Sequence, residues 1–263
     1  MENKITIKLL GGLGNNLFQI ACAYSYSLKN NKELVLVNEK FGTTHNSLDS
    51  YKNNFLRNVD FVSNLNISGF NSYNEPEFKY NEIPDIENNV LIQGYYQSEK
   101  YFKEYSNEVR KLFLCPQEYI DEIKNKYKNL LLKNICSIHV RRGDYLNSPD
   151  HHPQQDMNYY MKAIKKMPKD SVFLIFSDDI NWCKNNFPDL PEKFIFIQGD
   201  SDYEDLLLMS LCKNNIICNS TFSWWGAWLN ENSEKIIIAP EKWFGNAYNV
   251  DMSDIYCENW IKI

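Results

Sequence analysis

The sequence predicts an α/β chain built from two parallel-sheet halves. Three observations lead there. Short β-rich apolar runs alternate with helical stretches, the alternation comes in two series separated by a helical region, and the first strand runs into a glycine-rich turn that opens a helix. Strands joined through helices need crossover connections, which make neighbouring strands parallel and cover the sheet with helices. At 263 residues the chain is long enough for two domains of ordinary size.

The first series starts with Ile5 to Leu10 as a strand and Asn16 to Lys29 as a helix, followed by Leu34 to Val37 as the next strand. From Phe41 to Asn89 the chain is rich in Asn, Ser, Tyr and Glu with weak periodicity, which predicts irregular structure. Val90 to Gln93 reads as a strand, and Lys100 to Leu114 and Gln117 to Leu132 read as helices. The second series opens with the strand Ile135 to Val140. Met157 to Met167 is then a helix, Val172 to Phe176 and Phe194 to Ile197 are strands, and Tyr203 to Cys212 is a helix. A strand at Ile216 to Cys218, a helix at Phe222 to Leu229 and a strand at Ile236 to Ala239 complete it. The boundary between the halves falls near Leu130 to Asn134.

Composition narrows the function classes. A net charge of −6 with no dense basic run argues against a nucleic-acid partner. The 17 Tyr and 15 Phe suit an ordinary core and equally a carbohydrate or nucleotide site. The cysteines, Cys22, Cys115, Cys136, Cys183, Cys212, Cys218 and Cys257, are odd in number and never spaced as CxxC. They predict buried reduced thiols, with neither a disulfide framework nor a zinc site. The opening MENKITIKLLGG lacks an apolar stretch of signal-peptide length, and no run approaches a membrane span, so a soluble cytoplasmic protein is expected.

Arginine is scarce, and its placement is informative. Only four of the 28 basic residues are arginine, and two of those, Arg141 and Arg142, sit side by side where the strand Ile135 to Val140 ends. Arginine differs from lysine in presenting a planar fork that grips carboxylate or phosphate through two parallel hydrogen bonds. Gly143 permits a turn and Asp144 can hold one guanidinium, whereas His139 inside the strand reads as a core histidine. Gly11-Gly12-Leu13-Gly14-Asn15-Asn16 follows the first strand but fails the dinucleotide pattern, because Leu17 stands at the third glycine position. What remains is a glycine turn that lets backbone approach a ligand at the strand's C-terminal end. Ser220, Thr221 and Ser223 lie between a strand and a helix, where hydroxyls and free N–H groups form an anion site or a plain N-cap. Trp224 and Trp228 share a helix face and read as core. Asp200-Ser201-Asp202 matches a D-x-D metal pattern but precedes a helix, where aspartate caps, so no metal is expected there. Asp178 and Asp179 are better placed, just beyond a strand end.

Five blocks in order, GGLGNNLFQIACAYS, HVRRGDY, FSDD, DLLLMSLCKNNIICNSTFSWWGAWLN and KIIIAPEKWF, resemble the motifs of the α-1,2-fucosyltransferase family, glycosyltransferase family 11. They span residues 11 to 244. The resemblance implies a GT-B fold of two facing Rossmann-like parallel-sheet domains, with residues 1–132 on the acceptor side and 133–263 binding GDP-fucose. It also implies metal-free transfer of fucose from GDP-fucose, with inversion, to the 2-hydroxyl of a β-galactoside. The acceptor would be a galactose-terminated oligosaccharide or a lipid-linked glycan, the latter bringing peripheral membrane association. By the same resemblance Arg141 holds the β-phosphate, Asp205 reads guanine, and Ser220, Thr221 and Ser223 hold the diphosphate. Gly14, Asn15, His139, Arg142, Asp178 and Phe222 complete the donor side. Asp144 and Asp150 are the candidate bases for the acceptor hydroxyl, Asp144 being the better suited to an ion pair; a loose mechanism without a strong base is equally open. Asn16 stands where the family has Gln, and the shorter amide is expected to alter an acceptor-facing loop.

Overall fold

The structure is a computed structural model that describes residues 3–38, 47–199 and 201–263. It divides into two units, Met1–Pro116 with Val250–Cys257, and Gln117–Asn249 with Glu258–Ile263. The division therefore falls one helical region earlier than the sequence places it, and a C-terminal segment returns to the first unit.

In the first unit, β1 (Lys4–Ile7) leads into α1 (Leu13–Lys29), followed by the short strands β2 (Glu33–Leu34) and β3 (Leu36–Val37). β4 (Phe61–Val62), β5 (Asn71–Asn74), β6 (Val90–Gln93) and α2 (Ser106–Leu112) complete it. β2, β1, β6 and β5 form a four-stranded parallel sheet in that order, and β3 pairs with β4. The helix α1 buries Leu17, Phe18, Ile20 and Ala21 completely. β5 lies inside the stretch expected to be irregular. Its sequence NSYN is polar because it is an edge strand with three of four residues exposed. The helix expected over 100–114 is broken. Phe102, with φ −139°, is buried against Phe18 at 6.2 Å, which leaves two short 3₁₀ turns before α2.

The second unit begins with α3 (Gln117–Lys126) and α4 (Lys128–Leu131), which Tyr127 separates. Then come β7 (Ile135–Val140), α5 (Met157–Ile164), β8 (Val172–Ser177), α6 (Ile180–Asn186) and β9 (Phe194–Phe196). The chain finishes with α7 (Asp202–Ser210), β10 (Asn214–Ile216), α8 (Thr221–Leu229), β11 (Ile237–Ala239) and β12 (Ile261–Lys262). Six parallel strands form one sheet in the order β12-β11-β10-β7-β8-β9. All six residues of β7 are buried, as a central strand covered on both faces requires. Cys136, Ile138 and Val140 pack on one face with Tyr159, Tyr160 and Ala163 of α5 and Cys183 of α6. Across the sheet, Asn215 donates to Ser137 Oγ at 2.8 Å and to the Met209 carbonyl at 2.9 Å. Trp224 and Trp228 are core, stacked 6.3 Å apart. All seven cysteines are free thiols. Among the described residues no helix is long and apolar enough to cross a membrane.

Candidate active site

The strand order places the site. The chain lays down β7, β8 and β9 outward on one side, then returns to the other side of β7 for β10, β11 and β12. The loops leaving β7 and β10 therefore part in opposite directions, and an open parallel sheet binds its ligands in the crevice at that reversal. Arg141 and Arg142 leave β7 there, and Ser220 to Ser223 leave β10. A hydrogen bond ties the two loops: Tyr145 Oη donates to the Asn219 carbonyl at 2.9 Å. Asn219 is itself buried and fixed, with its amide donating to the Trp243 carbonyl at 3.0 Å and accepting from Gln155 at 3.1 Å.

The two arginines diverge, because successive residues leaving a strand keep its alternation. Arg142 follows the face of Val140. Its ring-stacked guanidinium lies 4.1 Å from the centroid of Trp182, donates to Asp179 at 3.1 Å and to Gln154 at 2.9 Å. Arg141 follows the face of His139. Its Nε and one terminal nitrogen reach Asp144 Oδ1 at 3.0 and 2.8 Å, and the other terminal nitrogen reaches Asp178 Oδ2 at 3.1 Å. Burial opposes the charge of Arg141, but Asp178 and Asp144 more than offset it and raise its pKa. Asp178 also accepts the Arg142 backbone N–H at 2.9 Å. A Cβ on Gly143 would come within 2.5 Å of Asp178 Oδ2, so this turn needs glycine for close approach.

Beside this cluster stands the start of α8. Ser220 is its N-cap residue but makes no capping hydrogen bond with its side chain. A helix dipole concentrates partial positive charge at its N-terminus, which here is the turn Thr221 to Ser223. His139 is buried behind them, with Nδ1 3.2 Å from Cys218 Sγ and its ring 5.5 Å from that of Phe222. Burial, with Arg141 nearby, pulls its pKa down to about 3, so it is neutral. Burial also pushes the Cys218 thiol up to about 12.

Asp205 lies on α7, where burial first, then Asp202 and Glu204, raises its carboxyl to about 7. Its side chain stands where a Cβ on Gly199 would meet Oδ1 at 2.2 Å. Asp150 is exposed, and no hydrogen bond or ion pair joins its carboxylate to either arginine; its backbone carbonyl accepts from Ala247 at 2.9 Å. Of the D-x-D stretch, Asp200 lies outside the described residues, and Ser201 caps α7 by accepting from the Glu204 N–H at 3.3 Å. Among the described residues no group of three or more His, Cys, Asp or Glu is arranged to hold a metal ion.

In the first unit Gly14 and Asn15 open α1, with Gly11 at φ +76° in the turn before it. Asn15 accepts from Gln97 at 3.0 Å. Asn16 is fully buried and donates to the Leu10 carbonyl at 3.1 Å, so its amide holds the turn from within instead of facing outward from the loop. Reasoning from the sequence passed over Tyr145, Asn219, Gln154 and Trp182. The first two sit inside recognised blocks, whereas Gln154 and Trp182 carry no local signal.

The family model for Glycosyl transferase family 11 matches residues 1–263. The chain is 30% identical to the O-antigen biosynthesis glycosyltransferase WbnK of Escherichia coli, covering 97% of this chain and 99% of that one. It is 28% identical to an alpha-1,2-colitosyltransferase of Escherichia coli, covering 98% of both chains. Among solved structures, the fucosyltransferase NodZ from Bradyrhizobium aligns with a TM-score of 0.53 at 15% identity, covering 86% of this chain and 93% of that one. POFUT1 in complex with GDP-fucose aligns with a TM-score of 0.54 at 10% identity, covering 89% and 98%. The fold is thus the α/β, GT-B type of these fucosyltransferases.

Proposed function

The chain belongs to glycosyltransferase family 11, and from that premise we propose that it is an inverting, metal-independent galactoside α-1,2-fucosyltransferase using GDP-fucose. The observation that carries this reading is Arg141 at the strand reversal between β7 and β10, beside the N-terminus of α8. In the reaction the bond from fucose C1 to the β-phosphate oxygen breaks, and a bond from the acceptor's O2 to C1 forms on the opposite face. GDP leaves with added negative charge, and the acceptor hydroxyl loses a proton. Arg141 and the N–H groups at Thr221 to Ser223 stabilise the leaving diphosphate, as fixed dipoles and cations do in other transfers. Asp205 accepts hydrogen bonds from the guanine N1–H and 2-amino group. Asp144 is the base for the acceptor proton. Asp150 is the less supported base, because nothing ties it to the arginines. His139, Arg142 and Asp178 support the donor side from behind, Gly14 and Asn15 are donor-binding as well, and the first unit otherwise serves the acceptor. The protein acts in the cytoplasm on a galactose-terminated oligosaccharide or lipid-linked glycan.

The Escherichia coli relatives, named for O-antigen biosynthesis and colitosyl transfer, favour a surface polysaccharide as the product and also support a second reading, transfer of a different sugar from its nucleotide. One experiment separates the two. The protein is incubated with GDP-fucose or other nucleotide sugars and a panel of β-galactosides, nucleotide release is measured, and the linkage is assigned by NMR. The proposal expects release from GDP-fucose and an α-1,2 linkage. Release from another nucleotide sugar alone would replace it.

A further inference from the structure

We propose that Asp144 holds the place of the donor phosphate on Arg141 and is exchanged for it when the nucleotide binds. This rests on the donor reading above. The loop cluster is over-neutralised: two guanidiniums, Arg141 and Arg142, face three carboxylates, Asp144, Asp178 and Asp179. A diphosphate arriving at that cluster meets net negative charge unless a carboxylate leaves. Asp179 is committed to Arg142 at 3.1 Å and to the N-cap of α6, where it accepts from the Trp182 N–H at 3.0 Å. Asp178 is committed to the Arg142 backbone N–H and fills the space beside Gly143. Asp144 has neither restraint. Its side chain is 59% exposed, against 24% for Asp178. Among the described residues its hydrogen bond and ion pair are to Arg141 alone, and it begins the four-residue 3₁₀ turn Asp144–Asn147.

The geometry of the pair identifies what Asp144 imitates. A single oxygen, Oδ1, receives both Nε and a terminal nitrogen of Arg141, at 3.0 and 2.8 Å. That edge of the guanidinium is the one that suits oxyanions through two parallel bonds. In the absence of donor, Asp144 keeps the fork oriented and its donors satisfied. On donor binding the phosphate takes the edge, Asp178 continues to hold the third nitrogen, and the Asp144 carboxylate is released next to the reacting centre. No covalent step is involved in the exchange.

The test is calorimetric titration of GDP, and separately of guanosine, into the wild-type protein and the Asp144→Asn, Asp144→Ala and Asp178→Asn variants, with thermal melts to show each is folded. An exposed ion pair competes weakly, so both Asp144 variants should bind GDP about two- to fivefold more tightly while guanosine affinity stays unchanged. Asp178→Asn should bind GDP more weakly. Equal or weaker GDP binding by folded Asp144 variants, or a gain that guanosine shares, would overturn the exchange. Wild-type protein that fails to bind GDP would instead remove the donor reading and the exchange with it.

Discussion

Arg141 and Arg142 are neighbours in sequence with opposite surroundings. Arg142 is 17% exposed, stacked on Trp182, with its fork spent on Asp179 and Gln154. Arg141 is the one whose carboxylate partners include an exchangeable one. Lysine keeps the charge but loses the fork. Arg141→Lys is therefore expected to lower kcat by about 10² or more, roughly 2.7 kcal/mol of transition-state stabilisation, with an unchanged circular dichroism spectrum. Arg142→Lys is expected to lower the melting temperature and raise the donor KM while leaving kcat within about tenfold. A dead Arg142→Lys beside a fully active Arg141→Lys would reverse the two roles. Asp205 makes a second residue-scale case. Its carboxyl, raised to about 7 mainly by burial, keeps its proton in the folded protein at pH values where the unfolded chain has lost it. Such a group contributes stability below the ordinary carboxylate range and loses that contribution as pH rises through about 7. If Asp205 reads guanine as proposed, it must do so ionised, so GDP affinity should fall as pH drops below 7, approaching tenfold per unit. Asp205→Asn should melt higher than wild type at pH 8, match it near pH 4, and bind GDP about 1–3 kcal/mol more weakly. Unchanged GDP affinity across that pH range would mean that Asp205 does not touch the base.

At the scale of elements, the pattern in the sequence was readable wherever burial dictated composition. β7 and β8 are central strands covered on both faces, so ICSIHV and VFLIFS could hardly read otherwise. The sequence pattern puts β10 two residues late because Asn214 and Asn215 look like loop residues. They are buried because their amides are satisfied: Asn214 accepts from the Ile236 N–H at 2.8 Å, and Asn215 bonds Ser137, the Met209 carbonyl and Asn230. β5 gives no strand signal for the converse reason, since an edge strand need not be apolar. The same logic explains the site. Arg141, Asp144 and Ser220 stand next to strand ends that are visible in the sequence, whereas Gln154 and Trp182 reach Arg142 from 12 and 40 positions away through tertiary packing alone. The Asn215 network is what holds α7 and the strand β10 in register behind α8. Asn215→Leu keeps the branched four-atom outline but leaves Ser137 Oγ, the Met209 carbonyl and the Asn230 amide short of a partner. Each unsatisfied buried group costs about 1–3 kcal/mol, so the melting temperature should drop by several degrees. A variant melting at the wild-type temperature would show that the network relaxes onto other partners.

For the whole molecule, the question is how an acidic chain handles an anionic donor. The net charge is −6, so long-range attraction would not gather an anionic donor such as the proposed GDP-fucose, and local fields at the crevice would have to do so. Once Asp144 gives up Arg141, two sources of positive potential converge there, the Arg141 guanidinium and the N-terminus of α8, and both are fixed by the sheet that carries them. On the proposed mechanism the charge on the leaving diphosphate is met by donors already in place, so transfer would need no bound divalent cation. The sign of the salt response follows. Exposed charges are screened with a Debye length of about 10 Å at 0.1 M and about 3 Å at 1 M ionic strength, so the donor KM should rise with salt while kcat, set within the closed contacts, changes less. Metal independence is the sharper test. Transfer from GDP-fucose, followed by GDP release, should proceed at the same rate after dialysis against excess EDTA and should not increase when Mg²⁺ or Mn²⁺ is added back. Loss of activity in EDTA that either cation restores would mean that a metal shares the diphosphate with Arg141. The stretch to mutate next would then be Asp200-Ser201-Asp202, at the entry to α7.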